Sequence, residues 1–314
     1  MPVNTTHPDK VVVKHGDSTT EIYYYGATLT SWKPNGLERI FVSKQAILNG
    51  TKAIRGGMCV LAMVYLFFSL ILAPFLRRSF PNTASLVIRG MSAPLSSYYI
   101  NIEPSVFQCH PRRWDWVGIT TDNASETTVE LALKPDNVPA NLRELWPHDF
   151  RITYTVTLTS NTLRTGLAIK NPSNTSWDFT TLLHTYFKVQ EIATVAVVGL
   201  NGYPYVDKVA NGARAQETRE RVTIAGEVDR VYEGVKNDAI TLQGTAIGAG
   251  IVLHKSNFPD VVVWNPWVDK AKSMADFGDE EYHNMICVEV GSVAAMIKLG
   301  PGDTWEGSQT LVAV

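Results

Sequence analysis

The chain has 314 residues, of which 45% are hydrophobic and 18% charged, and a formal net charge of −2. This is globular composition, with enough apolar residues to bury a core. A chain so close to neutrality sets up no global field for nucleic acid or anionic lipid, so a phosphorylated ligand would have to be recognised by a few placed cations.

In chain order, the N-terminal stretch MPVNTTHPDK lacks the basic start and apolar core of a secretory signal. EIYYYGATLTSW (21–32) is the first strand-like run, and Pro34-Asn35-Gly36 follows it as a turn. Residues 58–76, MCVLAMVYLFFSLILAPFL, are almost wholly apolar and are followed by Arg77-Arg78, the profile of a borderline membrane-spanning helix. From there to about residue 110 the chain is rich in Ser and Pro and shows no clean period.

Further strands are expected at TTVELALK (127–134), RITYTVTL (151–158), LRTGLAIKN (163–171), FTTLLHTYFKV (179–189), DVVVW (260–264) and MICVEV (285–290). In 151–158 the alternation is clean: Ile152, Tyr154, Val156 and Leu158 face one way, and Arg151, Thr153, Thr155 and Thr157 the other. Asn171-Pro172-Ser173, Asn201-Gly202 and Pro301-Gly302 separate the runs. No sustained helical period, fixed repeat or linker interrupts the pattern. The expectation is an all-β chain, one large antiparallel β-sandwich domain over residues 1–314.

Five places could carry chemistry. Arg55-Gly56-Gly57 joins a guanidinium that could fork onto phosphate or sugar hydroxyls to two glycines that allow close backbone approach; the alternative is a loop arginine beside a turn. His184 shares a strand face with Leu182 and Tyr186, where an imidazole is suited to general acid work or is simply a satisfied core histidine. Glu289 interrupts an apolar strand, sharing its face with Cys287 and Gly291; it is a candidate base, or a solvent-facing carboxylate. Asp229 could accept from sugar hydroxyls or pair with Arg230 in a turn. Trp264 and Trp267 could stack on a sugar ring or fill the core. Asp279-Glu280-Glu281 reads as a solvated loop.

No nucleotide-binding glycine loop, nucleophile elbow or HExxH pair is present. Cys59, Cys109 and Cys287 show neither metal-knuckle nor redox spacing, and the remaining histidines are scattered, so no metal, no disulfide framework and a reducing, cytoplasmic setting are expected.

Taken in order, EIYYYGATLTSW, FVSKQAILNGTKAIRGG, RRWDWVG, LRELWPHDFRITYTVTLTSNTL, FTTLLHTYFKV, GEVDRVYEG, VVVWNPWVDKAKSMADFGDEEYHNMICVEVGSV and PGDTWEGSQTL resemble the aldose 1-epimerase superfamily. The resemblance is closest to its glucose-6-phosphate 1-epimerase branch, the hexose-6-phosphate mutarotases. It implies a galactose mutarotase-like β-supersandwich with an open cleft and an isomerase that needs no cofactor. The implied roles are catalysis for His184 and Glu289 and substrate binding for Arg55 and Asp229. The implied substrate is a hexose 6-phosphate, with no nucleic-acid partner and, as in many family members, a monomeric state. A non-catalytic sugar-phosphate-binding protein on the same fold is the alternative.

Residues 58–110 depart from that family. After the Arg-Gly-Gly motif its members reach a motif of the form Gln-His-Gly-Phe-Ala-Arg, which is absent here. Counted back from Trp114, the motif arginine would fall on His110, and neither Arg112 nor Arg113 matches it. An aberrant coding segment fits best, because both flanks match the family. A membrane span would put the two halves of a sandwich on opposite sides of a bilayer. A packed insertion is the third reading.

Overall fold

The computed structural model describes residues 2–63, 112–246 and 249–314. Its strands are β1 (Val3–Asn4), β2 (Lys10–His15), β3 (Ser18–Tyr23), β4 (Thr28–Lys33), β5 (Met58–Met63), β6 (Asp115–Asp122), β7 (Thr127–Leu133), β8 (Arg151–Leu158), β9 (Thr162–Lys170) and β10 (Trp177–Lys188). They continue with β11 (Ala196–Val198), β12 (Pro204–Asp207), β13 (Ala213–Gln216), β14 (Arg221–Thr223), β15 (Val228–Tyr232), β16 (Ala239–Ala246), β17 (Ala249–Ser256), β18 (Asp260–Asn265), β19 (Met285–Leu299) and β20 (Thr304–Ala313). Two short helices, α1 (Ala140–Leu145) and α2 (Trp267–Ser273), lie between strands. Among the described residues no helix is long and apolar enough to cross a membrane.

The strands form two antiparallel sheets. One has eleven described strands in the order β1-β2-β3-β4-β5-β10-β19-β18-β15-β12-β13, the other nine in the order β14-β11-β16-β17-β20-β9-β8-β7-β6. The all-β expectation holds, and the alternation in 151–158 is the reason the sheets stack: Ile152, Tyr154, Val156 and Leu158 are buried while Arg151, Thr153, Thr155 and Thr157 are not. β10 supplies the facing layer with Leu183 and Phe187. Behind β10 a polar node fastens the two sheets. Met58 Sδ of β5 accepts from Tyr154 Oη at 3.6 Å, Thr165 Oγ1 at 3.7 Å and Gln309 Nε2 at 3.0 Å. Gln309 also reaches Thr185 Oγ1 at 3.3 Å.

Two expectations change. EIYYYGATLTSW is a hairpin, β3 and β4, with its turn at Gly26 and Ala27, both at positive φ. The tyrosine run hid that turn from a period-2 reading. The apolar run beginning at Met58 opens as strand, not helix: Met58–Met63 pairs along β10 from Thr185↔Met58 to Thr180↔Met63. β5 lies between β4 and β10, and Met58, Cys59 and Val60 are all buried, so the sequence here is apolar without alternating. The remainder of the 58–110 segment, His110 included, lies outside the described residues. Cys59 is disulfide-bonded, against the expectation of no disulfide framework.

Candidate active site

The outer face of the eleven-stranded sheet carries the candidate site. On β10, Leu183, Thr185 and Phe187 face the core, which turns His184 and Tyr186 outward. On β19 the same alternation sends Val288 and Val290 inward and Cys287 and Glu289 outward. The register pairs Leu183↔Val290 and Tyr186↔Cys287, so His184 falls opposite Glu289. The next strand adds Trp264 beside Cys287, and β15 adds Asp229 beside Trp264.

His184 Nδ1 stands 3.1 Å from Glu289 Oε1, with side-chain exposures of 21% and 4%. The two atoms face each other without hydrogen-bond alignment. The His184 ring stacks on Tyr186 at 4.6 Å and meets the edge of Trp264 at 6.3 Å. Burial, reinforced by the fields of Arg55 and Lys208, lowers the His184 pKa to about 3. Burial, reinforced by the Asp229 charge, raises Glu289 well above the ordinary carboxylate value, against the pull of Lys208. Both pushes favour a neutral imidazole beside a protonated carboxyl.

Arg55 is brought to this site, but not as a free fork. Its Nε donates to Asp276 Oδ1 at 3.0 Å and its Nη2 to Asp276 Oδ2 at 3.5 Å, and it also interacts with the Tyr186 hydroxyl. The glycines after it are required by the packing of the backbone itself. A Cβ on Gly56 would lie 2.5 Å from the Phe41 carbonyl oxygen, and one on Gly57 2.7 Å from that of Leu29. They let the chain lie close against its own backbone. Asp229 sits on a strand rather than a turn, and its partner is Lys208 (Nζ to Oδ1, 3.5 Å). Arg230 turns instead to Asp207. Burial raises the Asp229 pKa, with Lys208 opposing.

Trp264 stands half-buried beside the imidazole. Trp267 instead packs on Tyr282 at 5.2 Å. Within the acidic run, Asp279 and Glu280 are exposed, but Glu281 accepts from Ser43 Oγ and the Lys44 and Gly278 amides and so fastens two loops. Tyr186, Cys287, Lys208 and Asp276 were not singled out from sequence. The first two follow from the period-2 register with His184 and Glu289. Asp276 and Lys208 are brought in by loops that carry no local signal. One donor atom each from His184, Cys287 and Glu289 lies within 4.8 Å of the others, a set that spacing along the chain does not disclose.

The profile of the family described as Aldose 1-epimerase matches residues 107–311. A Cenchrus ciliaris protein named "Putative glucose-6-phosphate 1-epimerase" is 33% identical over 311 residues, covering 98% of this chain and 85% of that protein. An Escherichia coli K12 protein of the same name is 28% identical over 283 residues, covering 90% of this chain and 82% of its own. Among solved structures, the "putative mutarotase (YeaD)" from Salmonella typhimurium matches with a TM-score of 0.74 at 21% identity, covering 100% of this chain and 97% of that one. A galactose mutarotase-like protein from Clostridium acetobutylicum gives 0.67 at 12% identity, with 97% and 95% covered. These two show the shared fold, a galactose mutarotase-like β-sandwich. With the profile and the Cenchrus ciliaris relative beside them, the chain belongs to the aldose 1-epimerase family and is a carbohydrate epimerase, an isomerase.

Proposed function

We propose that the chain interconverts the α and β anomers of an aldohexose 6-phosphate, glucose 6-phosphate first among them, with His184 and Glu289 moving the protons. The observation that carries this reading is their juxtaposition at 3.1 Å. The pair comes from neighbouring strands of one sheet, not from opposed strands across a cleft. That suits the reaction, because the two oxygens that exchange protons are bonded to the same carbon, C1.

Glu289 takes the proton of the C1 hydroxyl while His184 gives one to the ring oxygen. The C1–O5 bond breaks, C1 becomes an aldehyde, and rotation about C1–C2 presents its other face. The ring oxygen then attacks, with the two protons travelling back. A neutral pair and an ion pair hold the same number of protons, so substrate need only bring the two groups into alignment and draw the Glu289 proton onto His184. No cofactor is required, and mutarotation in water is already fast enough for acid–base help and positioning to suffice.

Arg55, its charge largely matched by Asp276, orients ring hydroxyls, and Asp229 accepts from others. Lys208, 47% exposed beside Asp229, is the cation best placed to meet a phosphate. A single domain working as a monomer fits a reaction that needs one chain and one small substrate. Polarimetry or NMR exchange, corrected for the spontaneous rate, tests the pair. His184→Ala and Glu289→Ala are expected to lower kcat/KM by about 10²–10⁴-fold. Retention of the rate in both would refute the assignment.

The absent Gln-His-Gly-Phe-Ala-Arg motif leads to a second proposal, that this chain grips phosphate weakly. The KM for glucose 6-phosphate should then fall less than about tenfold below that for glucose, one ion pair's worth, and Lys208→Ala should erase the difference. A KM for glucose 6-phosphate lower by a hundredfold or more would sink that idea. Binding without turnover would favour the sugar-phosphate-binding alternative.

A further inference from the structure

We propose that His184, Cys287 and Glu289 together bind a thiophilic divalent cation of the zinc class, and that its binding shuts off the proton-transfer pair. The three donors are a nitrogen, a sulfur and an oxygen, one atom of each lying within 4.8 Å of the others. Zinc accepts this mixture, whereas magnesium and calcium select oxygen alone. Bonds of 2.0–2.3 Å in a tetrahedral site place ligand atoms about 3.5 Å apart, so a contraction of about 1 Å closes the site. Adjacent hydrogen-bonded strands hold two of the three donors two residues apart on β19 and the third across from them on β10.

Two further observations point to a ligand. His184 Nδ1 is buried and makes no hydrogen bond, and Cys287 is a free, fully buried thiol with no part in proton transfer. The charge balance also works. As the cation binds, the thiol and the carboxyl each release a proton to solvent, and the metal–sulfur and metal–oxygen bonds form. Two positive charges arrive and two leave, so the dry pocket gains no net charge and nothing is oxidised or reduced. Arg55 and Lys208 oppose the incoming cation, while Asp229 offsets them. Of the three side chains His184 is the partly exposed one, at 21%, so a water or a sugar hydroxyl would complete the shell from its side.

The binding claim stands apart from the proposed activity; the shut-off rests on it. The intact chain is titrated with Co²⁺ and followed by absorption. The expected result is intense tetrahedral visible bands with a near-ultraviolet thiolate-to-cobalt band, the latter lost in Cys287→Ser. Glu289→Gln, which needs no repacking of the thiol, should weaken cobalt binding at least tenfold. The thiolate band surviving Cys287→Ser, or no such band in the intact chain, overturns the site whatever the activity. Zn²⁺ should then lower the anomerisation rate at least tenfold, reversibly with a chelator. A site that forms without slowing the reaction overturns the shut-off alone.

Discussion

A histidine and a glutamate held at 3.1 Å titrate as a pair rather than singly. In the proposed mechanism the working form carries one proton between them, and its limits follow from the two shifts. On the acid side, activity is lost when the pair takes a second proton, a step governed by the lowered His184, pushed to about 3. On the alkaline side it is lost when the pair gives up its proton, a step governed by the raised Glu289. An unperturbed pair would work only between about 4.3 and 6.5. The kcat/KM profile is therefore expected to extend past both limits. Glucose is the substrate for this measurement, because a phosphate monoester itself titrates near pH 6. An acid limb at or above the ordinary carboxylate value would show that burial does not set the pair's protonation.

At the scale of elements, the site depends on how closely one loop lies against the sheet. The Arg55 loop leaves β4's neighbourhood and returns through Gly56 and Gly57, at φ of 120° and 80°. An alanine at 57 would combine a conformation that side chains avoid with a Cβ 2.7 Å from the Leu29 carbonyl oxygen. Gly57→Ala is expected to cost about 1–3 kcal/mol in urea unfolding and, by lifting Arg55 off Asp276, to raise KM. Unchanged stability and KM would mean the loop has slack that the contacts do not suggest. The same loop shows where sequence reading stops. The Arg-Gly-Gly motif is plain in the sequence, but its partner Asp276 lies 221 residues away and no periodicity connects them. By contrast, strand 151–158 could be read from alternation alone, because each residue's face is set by its neighbours. His184 and Glu289 were both assigned to faces correctly. Their pairing required the order β10-β19, a non-local fact of topology.

At the scale of the molecule, two sheets clamp a common core, and the outer face of one pays for its chemistry in stability. Glu289 is 4% exposed, and burial raises its pKa well above the ordinary carboxylate value. In the unfolded chain it ionises near the ordinary carboxylate value, while in the folded chain it holds its proton to higher pH. Folding therefore takes up a proton, and this group's contribution is fully present below the unfolded pKa and is lost as pH rises through the folded one. Glu289→Gln keeps the shape and removes the titration. The variant should match the parent's Tm near pH 4 and exceed it by a few degrees at pH 8, a shift of about 1 kcal/mol or more for a chain of this size. His184 moves stability the other way, since a buried neutral imidazole loses ground as pH falls through the unfolded histidine value. That loss is common to both proteins, so it cancels from the difference. A gap in Tm that stayed constant from pH 4 to pH 8 would assign the effect to packing, and would remove the buried acid as the reason a base can work here near neutrality.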